Sequence, residues 1–246
     1  LNKFFEMAPQ NFKYISNDYK YKGILLSRTG KDSVALVEME KAIVNDPNSA
    51  KDIYTEMALI AYRGKKYDKV TNIVERKIAL DPASLNNNDY FNYGRANYNL
   101  GQKKLEEANN LKDAKAKPAK EAEAMPFIVK ADSAFAGLIR LNANWVTAYT
   151  WKGRSSSLIN FDLGKPYYEK VLSIVKPEEK TGSYKKDVVE AYEYLGSYYL
   201  NKKDKANADA NLNLLKEIDP TNQKAIYYFN PPKTPQKPAG TKPAGK

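Results

Sequence analysis

The chain has no cysteine and no histidine in 246 residues. Without cysteine there is no disulfide, no thiolate nucleophile and no cysteine metal site, and the redox compartment cannot be read. Without histidine the common general base near neutral pH is gone, with the Ser-His and Cys-His pairs and the commonest transition-metal ligand. No apolar run approaches the roughly 20 residues that a membrane-spanning helix needs. Arginine is also scarce. Only Arg28, Arg63, Arg76, Arg95, Arg140 and Arg154 stand among forty cationic residues, so the net charge of +11 is carried by lysine. Arginine is the residue that reads base edges best, and four of the lysines, Lys233, Lys237, Lys242 and Lys246, crowd the last sixteen positions. A solvated lysine-rich surface fits this distribution, and a nucleic-acid partner is not expected.

What the chain has in quantity is tyrosine, 19 residues of it, at helical spacing. Tyr192, Leu195, Gly196 and Tyr199 form one stripe, Ala208, Leu212 and Leu215 a second, and Pro220 closes the segment. The same order occurs at Tyr19, Gly23, Leu26, Ala35, Met39, Ala42 and Pro47, and again at Tyr54, Met57, Ala58, Ala61, Val70, Val74 and Pro82. In all three copies the small residue and the proline are 24 positions apart. A degraded copy reads Tyr149, Gly153, Gly164, Tyr168, Val171 and Pro177. Another opens at Tyr90, Tyr93, Gly94 and Tyr98 and resumes at Ala131, Phe135 and Leu138 after an insertion of about 25 residues.

The pattern has a physical reading. Small residues at Gly23, Ala58, Gly94, Gly153 and Gly196 let two helices approach closely, while the apolar spacing gives each helix a stripe for its neighbour. Asp46-Pro47, Asp81-Pro82 and Asp219-Pro220 stop second helices, since proline disfavours helical geometry in the residue before it. One such hairpin cannot bury its own stripe, and stacked copies can.

These copies resemble the tetratricopeptide repeat over residues 1–229, with tyrosine where that family has tryptophan. The resemblance implies an all-α, right-handed superhelical solenoid of antiparallel helix pairs, with a concave face lined by the first helix of each pair. The expected organisation is a partial repeat at 1–10, repeats at about 16–49, 51–84, 87–144, 146–179 and 189–222, and a disordered Pro/Lys/Gly tail at 230–246. Ala8-Pro9 mimics the later stops, so residues 1–8 read as the end of a second helix cut from a longer array. A short capping helix is expected at 225–229. The insertion reads as a lengthening of both helices of the third repeat. Its expected features are a turn near 115–120, a kink or restart at Pro126, Leu100, Leu105, Ala108 and Leu111 on one stripe, and Ala122, Met125 and Val129 facing back.

No catalytic or metal residue is expected. Glu106-Glu107, Glu121 with Glu123, and Glu178-Glu179 sit in lysine-flanked, solvated segments. "RTGKDS" at 28–33 is an inter-helix turn rather than a phosphate loop, and "GRSSS" at 153–157 is helical by register. The resemblance places helix positions 2, 5, 9 and 12 on the concave wall. Carried onto this sequence, they give Thr55, Leu59 and Tyr62, then Phe91, Arg95 and Tyr98, then Thr150 and Arg154, with Glu190 and Glu193 in the last repeat. Two of the six arginines thus share one register, and a guanidinium beside aromatics suits a carboxylate or an acidic segment. The competing reading has the tyrosines packed between helices and the arginines paired with nearby acids. A clamp for chaperone C-termini is disfavoured, because Lys20 is followed by Ile24 and the next repeat offers Thr55 and Leu59.

The expected function is a non-enzymatic scaffold that binds a peptide or protein partner, with no cofactor or metal. Two alternatives remain open: a regulatory or substrate-docking part of a larger enzyme, and an electrostatic binder of an anionic polymer or surface. The resemblance suggests a bacterial protein of the cell envelope (periplasm) or cytoplasm.

Overall fold

The computed structural model describes residues 2–7 and 12–231, and every regular element among them is helical. After α1 (Asn2–Met7) come α2 (Ser16–Arg28) and α3 (Asp32–Asn45), then α4 (Ala50–Arg63) and α5 (Tyr67–Leu80). Next are α6 (Asn87–Asn109), the short α7 (Lys117–Ala122) and α8 (Met125–Leu141), followed by α9 (Val146–Ile159) and α10 (Lys165–Ile174). The last are α11 (Lys185–Asn201), α12 (Lys205–Ile218) and α13 (Gln223–Phe229). The architecture is an all-α solenoid of helix pairs. The chain divides into two compact units with the boundary after Lys170. The expected stop at Ala8-Pro9, and the expected tail from residue 232 on, lie outside the described residues.

In the first unit the stripes of successive pairs merge into one core. Ala35, Met39 and Ala42 of α3 pack in the same cluster as Ile53, Met57 and Ala61 of α4, Val70 and Val74 of α5, Ala96 of α6 and Ala134 of α8. Each large side chain enclosed in this way contributes about 1.5–3 kcal/mol relative to exposure. Ala131, Phe135 and Leu138 of α8 continue the stacking onto Ala148 of α9. In the second unit α11 packs on α12 and α13 on α12, with Leu195, Ala208, Leu212, Leu215 and Ala225 buried.

Close approach explains the recurring small residue. A Cβ placed at Gly23 would come within 2.7 Å of the Met39 side chain, and one at Gly196 within 2.7 Å of Leu212. At Gly94 the Phe135 ring stands at the same 2.7 Å. The partner lies sixteen positions on in the first two cases and forty-one in the third, so the insertion leaves the contact in place.

The turns inside the pairs share a backbone device. Gly30, Lys65 and Lys203 adopt positive φ of 77°, 55° and 59°, each seven residues after the small residue of its helix. Lys31 N–H donates to Leu26 C=O, Lys66 N–H to Ala61 C=O and Asp204 N–H to Tyr199 C=O, all at 2.9 Å. These bonds close left-handed helix ends. Gly101 holds the same register in the third pair but stays helical inside α6, which carries that helix to 23 residues against 14 in α4. Between pairs, Asp46 and Asp81 turn the chain. Their backbones are extended, and their carboxylates accept from Asn48 N–H at 3.1 Å and Ala83 N–H at 3.0 Å.

The arm built on the insertion departs from expectation in two places. Its turn falls at residues 110–116, earlier than 115–120, because Pro118 sits in the first turn of α7, where its missing N–H costs nothing. Pro126 restarts the chain as α8, as expected. Ala122 and Val129 are exposed, and Ala124 and Ile128 face α6 instead. The break between α7 and α8 shifts the register. Lys104 and Lys120 both reach Glu107 and Glu123, pinning α7 to α6.

Candidate functional site

The first helices α4, α6 and α9 bring one cluster of side chains together. Its centre is Arg95 of α6. The guanidinium carbon lies 4.6 Å from the centroid of Tyr62 of α4, 5.0 Å from Phe91 and 5.3 Å from Trp151 of α9. Phe91 packs against Trp145 at 5.3 Å, and Tyr98 meets Trp151 edge-on at 5.3 Å. Trp151 in turn stacks on the buried Phe135 at 5.6 Å, which fixes the indole. Arg154 lies 4.4 Å from the same indole ring. Two cations therefore lie against one indole.

Of the expected residues, Tyr62, Phe91, Arg95, Tyr98 and Arg154 join this cluster. Leu59 is half-buried on α4 one turn before Tyr62. Thr55 is engaged by neighbouring charged groups and Thr150 is buried. Thr55 Oγ donates to Asp89 at 2.8 Å and accepts from Lys77 Nζ at 2.7 Å. Lys77 also pairs with Asp89 at 2.7 Å, both side chains being at most 2% exposed. Asp89 further accepts from Asn86 N–H at 2.9 Å, so this carboxylate caps α6 and neutralises the buried lysine at once. Thr150 is 1% exposed and leaves no surface for a partner. Trp145, Trp151 and Gln102, whose amide donates to Tyr98 Oη at 2.9 Å, were missed. They lie outside positions 2, 5, 9 and 12, but Trp145 and Trp151 are the chain's only two tryptophans, a signal in itself.

Among the described residues no carboxylate forms an ion pair with Arg95, and its buried Nε–H has no acceptor. Burial pushes the Tyr62 hydroxyl above its ordinary range, and the adjacent Arg95 charge only partly opposes this, so the phenol stays neutral. Beyond Tyr98, the lengthened part of α6 and the end of α9 flank an open pocket of about 620 Å³ whose lining includes Asn99, Gln102, Lys103, Glu106 and Leu158.

The other motifs have structural roles. Ser155 and Ser156 of "GRSSS" donate to Asp132 at 3.1 and 2.6 Å, beside the Lys152–Asp132 pair. "RTGKDS" is the turn between α2 and α3 around Gly30. Among the described residues no group of three or more acids could hold a metal ion, and no helix is long and apolar enough to cross a membrane.

A solved structure of the C-terminal part of a TPR repeat-containing protein from Cytophaga hutchinsonii matches 92% of this chain and 77% of its own, at 27% identity and a TM-score of 0.69. The chain has the fold of tetratricopeptide-repeat proteins. The same repeat fold is shared with YrrB, described as a TPR protein with an unusual peptide-binding site, at 18% identity and a TM-score of 0.59 over 86% of this chain and 90% of that one. No protein-family model matches the chain, and no curated protein matches it. Its repeats are thus recognised through the spacing of small, aromatic and proline residues and through the shape of the stack.

Proposed function

We propose that this tetratricopeptide-repeat chain is a non-catalytic scaffold that binds a peptide or partner protein on the face shared by α4, α6 and α9. The repeat bounds set out above belong to this reading. The observation that carries it is the partly exposed cluster of Tyr62, Phe91, Tyr98, Trp145 and Trp151 around Arg95. Aromatics and arginine dominate interface hot spots because they combine large contact area with directional polar groups at little entropic cost. The rings are held by one another and by Phe135, so little freedom is lost on association. The likeness to a peptide-binding relative adds support from the fold alone.

The test is a pull-down of native partners with the intact chain, with the Arg95→Ala plus Arg154→Ala variant, and with Arg140→Ala as control. Loss of partners with the double variant at moderate salt supports the face. Retention of every partner removes it. Binding that collapses with salt and ignores both changes would favour an anionic polymer instead.

A further inference from the structure

We infer that the ligand of the α4–α6–α9 face is an acidic segment within a partner protein, seating an Asp or Glu carboxylate on Arg95 and laying apolar neighbours on the surrounding rings. This rests on the reading of the preceding section and names the chemistry of its partner.

The chain contains its own reference for the argument. Arg76 lies 4.7 Å from the Tyr54 ring, much as Arg95 lies 4.6 Å from Tyr62. Arg76 also holds Glu40 by two parallel bonds at 2.5 and 2.9 Å, the fork geometry that guanidinium and carboxylate share. Other partly or fully buried cations of the same unit have acids too: Lys22 has Glu38, Lys77 has Asp89 and Lys152 has Asp132. Arg95 repeats the aromatic half of the Arg76 arrangement, and no described carboxylate supplies the other half. An incoming carboxylate would lower the energy of Arg95 and accept from donors that rings satisfy poorly.

The surroundings select an internal segment over a chain terminus. On one side of Arg95 stand Phe91 and Trp145, which offer apolar contact. On the other, past Tyr98, the open pocket along the lengthened α6 continues with the carboxamides of Asn99 and Gln102, with Leu158, and with the charged side chains of Lys103 and Glu106 at its exposed edge. A chain lying across Arg95 meets groups suited to it in both directions, so its backbone runs on past the carboxylate. The α6 extension thereby acquires a use, which is to lengthen the wall along which the segment lies.

The experiment uses the full chain and fluorescein-labelled dodecapeptides read by anisotropy at about 150 mM salt, where distant surface charges are largely screened. One peptide alternates glutamate with leucine, one replaces each glutamate by glutamine, and each is made with a free and an amidated C-terminus. The expected result is that the glutamate peptide binds about tenfold tighter than the glutamine peptide, irrespective of amidation. Arg95→Met should abolish that preference, Arg95→Lys should retain part of it, and Arg140→Met should leave it intact. Equal binding of the two peptides overturns the inference. So does a preference that survives Arg95→Met, falls equally with Arg140→Met, or vanishes on amidation. Circular dichroism of Arg95→Met, matched to the unaltered chain, guards against a folding artefact in that variant. If native partners still cross-link to α4, α6 and α9 while glutamate gives no advantage, the acidic chemistry fails and the binding face stands. Cross-links mapping elsewhere remove both.

Discussion

Two charged residues of α5 and α6 show how differently burial is used in this chain. Lys77 and Asp89 are enclosed, paired and fully hydrogen-bonded through Thr55 and Asn86. Removing one partner leaves the other charge stranded in a low-dielectric interior, so Lys77→Met should cost about 3–5 kcal/mol in urea unfolding. Replacing both, Lys77→Met with Asp89→Leu, should recover most of that loss, short of about 1 kcal/mol for the forfeited cap on α6. Arg95 is the opposite case. It makes no described ion pair, so Arg95→Met should change stability by less than about 1 kcal/mol while weakening partner binding. At this scale the sequence was only partly legible. Register alone assigned Thr55 and Thr150 to the exposed wall, because helix position says which way a side chain starts and not what waits for it. The Lys77–Asp89 pair that captures Thr55 comes from two other helices. Trp145 and Trp151 were passed over for a related reason, since their place in the cluster depends on the meeting of α6 and α9.

Among the elements, the turns test backbone strain cleanly. Gly30 has φ of 77°, and a Cβ added there would meet nothing within 4 Å, so Gly30→Ala should destabilise by about 1–2 kcal/mol through φ alone. Lys65→Gly, at the equivalent turn, should shift the thermal midpoint the other way or leave it unchanged, because relief of strain is offset by a freer unfolded chain. The recurring small residue and the Asp-Pro stops were readable because each marks a geometric need: close approach in one case, an end to helical backbone in the other. The third pair was harder. Its 25-residue insertion announced a lengthened α6, but the break between α7 and α8 depends on Pro118 and Pro126 each opening a new helix, and this moved the inward face to Ala124 and Ile128.

One contribution to acid sensitivity comes from the junction of α5, α6 and α8. Burial raises the Glu75 carboxyl, but hydrogen bonds from Lys130 and Tyr93 and the Lys130 charge outweigh it, and the net displacement is downward from 4.5. A carboxyl depressed in the folded state adds stability that is present above its unfolded value and is lost as pH falls through the folded one. Thermal midpoints should therefore decline as pH drops below about 4.5, with Glu75→Gln flattening part of the slope. Unchanged slopes in that variant would exclude the junction as a contributor.

For the whole molecule, a charge of +11 makes salt the natural control on any binding result. An aromatic face with one or two charge contacts should lose only a fewfold in affinity between about 50 and 200 mM salt, whereas a polymer neutralising many lysines would lose orders of magnitude. The all-helical, pairwise-stacked architecture was legible because the need to bury half of every helix imposes one spacing on all copies. The most direct measurement is photo-cross-linking from a benzoylphenylalanine placed at Leu59 or at Gln102, on the proposed face, and at Val37, on the exposed side of α3. The account requires partner adducts from Leu59 and Gln102 and none from Val37. Adducts confined to Val37 would contradict it.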